Sequence, residues 1–138
     1  MNQTKTNLEP RLDSEGLRSA LVQFTGTERW YRHPFNQRMI YTDGVKFLAE
    51  NGGEQGAYWF LDKMALELCP LLASKSQNFA AVTLTVNADD TAVIRLTDGN
   101  DKQTATFEMH YTDMQTGEWR FYLIEEGGYR VLLLPSEY

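Results

Sequence analysis

The chain has one cysteine and two histidines among its 138 residues. A lone cysteine excludes an internal disulfide, and two widely separated histidines argue against a zinc site, which needs several close ligands. Cys69 sits in a helical apolar stretch and reads as a small core residue rather than a reactive thiol. GxSxG, HExxH and Cys-His strings are missing, and the glycines around NGG (51–53) lack the preceding strand and the lysine of a phosphate-cradling loop. No metal or cofactor is expected. Long apolar runs are missing as well: the start, MNQTKTNLEPRLDSEG, resembles neither a signal peptide nor a membrane span, so a cytoplasmic protein with no membrane contact is expected. Positive charge is scarce, with 13 Lys and Arg against 19 Asp and Glu, a net charge of −6. Such a balance argues against a broad surface for duplex nucleic acid, which needs a dense basic footprint, and leaves room only for a local patch.

What remains is an ordinary globular composition, 42% hydrophobic and 12% aromatic, in a chain long enough to bury a core without staples. The polar first residues, 1–12, read as a loose tail and 13–138 as one domain. Asp13 or Ser14 can cap a short helix carrying Leu17 and Leu21. In YTDGVKFLAENGG, Thr42 or Asp43 can cap a helix that ends at Gly52 and Gly53, with Val45, Leu48 and Ala49 on one face. AYWFLDKMALELCPLL is apolar nearly all round, which predicts a buried helix ended or kinked by Pro70.

After SKSQN the period changes to two. AAVTLTV, TAVIRL, TATFEMHY, WRFYLI and YRVLLL read as strands separated by turn signals such as Asp98-Gly99 and Gly127-Gly128. The expected fold is α+β, with N-terminal helices packed on one face of a roughly five-stranded antiparallel meander.

Four strings, FTGTERWYRH, YTDGVKFLAE, GAYWFLDKMAL and GEWRFYL leading to VLLLPSEY, together resemble an uncharacterised bacterial family of about this length, a domain of unknown function associated with plasmid- and phage-like elements. The resemblance spans about Phe24 to Tyr138. It implies a small accessory protein and carries over no catalytic residue.

Three constellations are candidate sites. ERWYRHPFNQRM (28–39) concentrates Arg29, Arg32, His33 and Arg38 with Trp30, Tyr31 and Phe35. These either stack on a short single-stranded nucleic acid or anchor a protein partner, or else pin a loop to the core while the arginines pair with carboxylates. By strand alternation Arg95, Glu108, His110, Arg120 and Tyr122 share the sheet face opposite the core, either as a proton-transfer or anion-holding cluster or as a solvated face. Asp62 interrupts the apolar helix and needs a partner, such as an arginine of the 28–39 stretch, unless it serves as an acid-base group. Finally, Tyr122, Ile124, Leu132 and Leu134 are expected to make the last two strands apolar on their outer face, a surface to be covered by the N-terminal segment, by the terminal PSEY or by a second copy in a homodimer. The favoured function is a non-enzymatic binding module acting through 28–39; the alternative is a small enzyme or ligand-binding domain using Asp62 or Glu108 and His110.

Overall fold

A computed structural model describes residues 12–100 and 102–138. The expected tail lies outside the described residues except for Leu12, which packs partly buried against the core while its carbonyl accepts a 2.6 Å hydrogen bond from Gln115 Nε2.

Helix α1 (Ser14–Leu21) starts where Asp13 accepts a hydrogen bond from the Gly16 amide at 2.7 Å, and it buries Leu17 and Leu21. Of the two candidate caps of α2 (Asp43–Asn51), Thr42 takes the role by accepting from the Val45 amide, leaving Asp43 free for other bonds. Helix α3 (Tyr58–Lys63) passes through one π-type turn (Met64–Leu68) into α4 (Cys69–Ser74). In that turn the Cys69 amide reaches the Met64 carbonyl, a wider loop than an α-turn. The added width comes just before Pro70, whose ring has no N–H to offer and crowds the preceding turn, so the rod continues beyond Pro70.

All five expected strands form: β3 (Phe79–Val86), β4 (Ala92–Thr97), β5 (Gln103–Met109), β6 (Gly117–Glu126) and β7 (Tyr129–Leu133). Two more precede them, β1 (Tyr31–Arg32) and β2 (Met39–Tyr41), giving a seven-stranded sheet of order β1-β2-β7-β6-β3-β4-β5. The α+β class stands, but the purely antiparallel five-stranded meander is corrected in two respects. First, β6 pairs with β3 rather than with its sequence neighbour β5. Second, β2 runs parallel to β7, with Met39 opposite Arg130 and Tyr41 opposite Leu132. Turn residues report neither contact, because both join segments far apart in the chain.

The helices cover one face. Val82, Leu84, Ile94, Trp119, Phe121 and Leu123 of the sheet meet Leu17, Leu48, Phe60, Leu61, Met64 and Leu68 of the helices, all of them buried. At the centre the Phe60 and Phe121 rings lie 4.6 Å apart. The opposite face carries no helix among the described residues. Its strand positions are mostly half-buried or exposed, with Val131 and Leu133 the apolar exceptions. The chain ends in a 3-10 turn (Pro135–Glu137) whose Glu137 accepts from Thr42 Oγ1 and from the Gly44 and Leu134 amides, tying the C-terminus to the start of α2. No helix among the described residues is long and apolar enough to cross a membrane.

Candidate functional site

Residues 28–39 form the outermost hairpin of the sheet, and strand alternation divides their duties. Tyr31 and His33 turn inward. Tyr31 stacks on Tyr41 at a centroid separation of 5.7 Å, and its hydroxyl donates to Asp43 Oδ1 at 2.9 Å. Asp43 also accepts from the Glu28 amide at 2.9 Å. Those two donors, the Glu28 amide first, hold the Asp43 carboxyl below its ordinary pKa, while the bond to Asp43 raises the Tyr31 phenol. The start of α2 thereby fastens the segment entering β1.

His33 is 1% exposed and fully committed. Its Nδ1 accepts the Phe35 and Asn36 amides, each at 3.1 Å, and its Nε2 lies 2.8 Å from Asp62 Oδ1. Two amides on Nδ1 fix the proton on Nε2, which then donates to the carboxylate. With both nitrogens occupied, the His33 ring has no free lone pair or proton for transfer, whereas the half-exposed Asp62 carboxylate keeps acceptor sites beyond the one that His33 uses. Asp62 is thus partnered by the 28–39 stretch, through its histidine and not through an arginine. Asn36 completes the lock by donating from Nδ2 to the Ala65 carbonyl at 2.9 Å, just where the rod widens.

Trp30, Arg32 and Phe35 face outward. Trp30 remains 54% exposed and Phe35, at the hairpin tip, 78% exposed. Trp30 and Arg32 line a groove of about 300 Å³ with Ile40, Tyr129, Val131 and Glu126. Arg29 is exposed, and Arg38 reaches across to the β6–β7 turn, donating to the Gly128 carbonyl at 3.0 Å. Five of the seven residues singled out in this stretch therefore point to solvent, and two belong to the packing. Ile40, Tyr129 and Val131 gave no signal of their own, since the β2–β7 pairing that brings them beside Trp30 is parallel and long-range.

The second constellation is dispersed. Arg95 and Arg120 flank Thr83 in one cross-strand row, whereas Glu108 lies in the next row opposite Val93. Arg120 pairs with Glu118 at 2.8 Å. His110 lies beyond the end of β5, and no hydrogen bond joins it to Glu108. Tyr122 belongs to an aromatic group instead, with Phe79 at 5.1 Å and Tyr138 at 5.2 Å between centroids.

The outer face of the last two strands needs a correction. Tyr122 and Ile124 do lie on it, but Leu132 and Leu134 turn into the core; their places outside are taken by Leu133, opposite Tyr122, and Val131, opposite Ile124. In a run of four apolar residues the period-two rhythm has no polar marker, so parity is set by the β2 and β6 partners alone. The terminal Tyr138 lies against this face through Phe79 and Tyr122. Neither strand offers a free edge, since β6 lies between β3 and β7, and β7 between β6 and β2.

Cys69 is buried, which pushes its thiol up to about 12. Among the described residues no group of three or more histidine, cysteine or acidic side chains is arranged to hold a metal ion.

Fold and site together define a small α+β domain with a helix-backed mixed sheet and a polar-aromatic hairpin at one sheet edge. The chain belongs to the family of unknown function DUF6876, whose sequence profile matches residues 15–138. No curated protein and no solved structure matches it.

Proposed function

We propose that this protein is a cytoplasmic, non-enzymatic binding module that docks a protein partner across the outward side of the β1–β2 hairpin. The observation that carries this reading is the groove itself: a half-exposed indole and an arginine over an apolar floor of Ile40 and Val131, walled by Tyr129. Trp, Tyr and Arg are the residue types that dominate binding energy at protein interfaces, because each offers a large rigid face and a polar tip. His33, Tyr31 and Asn36 anchor the hairpin from below, so the groove is shaped before a partner arrives and little ordering entropy opposes docking. Glu126 on the groove wall and the net charge of −6 disfavour a phosphate backbone there and favour a partner that brings a cation or a neutral apolar side chain.

The test is affinity capture from the native host with the wild-type chain and with the Trp30→Ala/Arg32→Ala variant, each with and without nuclease. The expected outcome is a protein retained by wild type, lost from the variant and indifferent to nuclease. A partner that nuclease removes, or that the variant retains, refutes the reading.

A further inference from the structure

The solvent side of the helical rod carries a narrow stripe. From α3 into the π-type turn, the exposed positions Tyr58, Asp62 and Leu66 follow one another at intervals of four residues and so share one face. Tyr58 is 42% and Leu66 51% exposed. The hairpin tip borders the stripe on one side, where the exposed Phe35 ring stands edge-on to His33 at 6.0 Å and His33 in turn holds Asp62. The Lys63–Glu67 ion pair, at 3.0 Å, borders it on the other. One carboxylate therefore sits among three exposed apolar side chains. Leu66 rides on the π-type turn, an irregularity that recurs at functional sites in helices.

Asp62 keeps its negative charge in this setting. The His33 ring is neutral, because its Nδ1 accepts two amides, and it engages only Oδ1 of the carboxylate. Lys63, the next residue, is turned away to Glu67 and to the face of the Phe107 ring. Among the described residues no lysine or arginine lies within ion-pair distance of Asp62, and Oδ2 accepts no hydrogen bond.

We propose that this stripe is a second docking surface, and that its occupant is an extended protein segment carrying an arginine with an apolar residue two positions away on either side. The argument is charge and spacing. A guanidinium suits the unpaired side of the Asp62 carboxylate, and its flat faces suit the neighbouring Tyr58 and Phe35 rings, as a compact ammonium would not. Four residues of helix advance about 6 Å, so Tyr58 and Leu66 stand about 6 Å to either side of Asp62. In an extended segment, side chains two positions apart project to the same face about 6.8 Å apart. With the arginine on Asp62, the apolar residues that flank it fall on Tyr58 and Leu66. Those contacts exclude water from the ion pair, which strengthens it. The net charge of −6 adds a general attraction for a basic segment. The stripe lies on the helical side of the sheet and the Trp30 groove on the other, so this surface stands or falls independently of the proposed docking function.

An NMR titration of the isotopically labelled full chain, followed at its backbone amides, tests the proposal. The probe is the peptide acetyl-Leu-Ala-Arg-Ala-Leu-amide, set against the same peptide with citrulline, a neutral isostere, in place of arginine. The arginine peptide is expected to shift the Phe35, Asp62 and Leu66 amides saturably at concentrations on the order of 1 mM. The citrulline peptide should bind about fivefold more weakly. Asp62→Asn keeps an oxygen for His33 to bond and removes only the charge; it should weaken the arginine peptide about fivefold and leave the two peptides equal. Leu66→Ala, at an exposed position, should weaken both peptides about fivefold. The Trp30→Ala/Arg32→Ala variant should bind the arginine peptide as wild type does. No saturable shift up to about 10 mM, equal binding of the two peptides to wild type, or loss of binding in the Trp30→Ala/Arg32→Ala variant overturns the proposal.

Discussion

Replacing His33 with alanine removes three hydrogen bonds at once. The Phe35 and Asn36 amides, each 3.1 Å from Nδ1, lose their acceptor beneath the hairpin tip, and Asp62 loses the donor 2.8 Å away. Each amide bond is worth about 1 kcal/mol net. The bond to the carboxylate would be worth more if buried, but the Asp62 side chain is 53% exposed, so about 1 kcal/mol is appropriate there too. The sum, about 3 kcal/mol, is a large share of the 5 to 15 kcal/mol typical of a domain and corresponds to a drop of about 10 °C in thermal midpoint. His33→Asn separates the contributions. Its side-chain oxygen can take the place of Nδ1 toward the two amides while its short side chain cannot reach Asp62, so it should lose only about 1 kcal/mol, as should Asp62→Ala. Urea unfolding at neutral pH, followed by tryptophan fluorescence, measures all three variants. A His33→Ala variant within about 0.5 kcal/mol of wild type, or an asparagine variant as damaged as alanine, refutes the assignment of His33 as the lock under the hairpin.

Asp43 supplies a pH signature. Its folded pKa lies below the ordinary value, so the stability it contributes is fully present above the unfolded pKa and is lost as pH falls through the folded one. Wild type should therefore exceed Asp43→Asn in thermal midpoint near neutrality, and the difference should shrink as pH falls below the ordinary carboxylate range and through the lowered folded pKa. Cys69, with its thiol pushed up to about 12, should resist iodoacetamide at pH 8 in the folded protein and react fully in denaturant, as mass spectrometry will show.

Much of the scaffold was legible in the sequence because its signals are local. Asp13 and Thr42 announce helix starts, and the β3 alternation of Val82, Leu84 and Val86 against Thr83 and Thr85 fixes which face is inside. Three features were not legible, each for a stated reason. The β2–β7 pairing joins residues about ninety positions apart through a strand too short to show a period. The run from Val131 to Leu134 is apolar at every position, so alternation assigned Leu132 and Leu134 to the wrong face. The duties of 28–39 were legible only as a choice between a binding surface and packing. The hairpin contains both, because consecutive strand residues point opposite ways: His33 and Tyr31 serve the core while Trp30 and Arg32 face water. Asp62 was rightly marked as needing a partner; that the partner is His33 depends on a hairpin and a helix meeting at a separation of 29 residues.

The most direct test of this division of labour is a matched series along the hairpin, Trp30→Ala and Arg32→Ala against Tyr31→Ala and His33→Ala, with thermal midpoint and retention of the captured partner measured on each. The outward pair should keep the midpoint and lose the partner, whereas the inward pair should lower the midpoint by several degrees. An outward variant that melts as early as His33→Ala, or one that still holds the partner, would contradict the account.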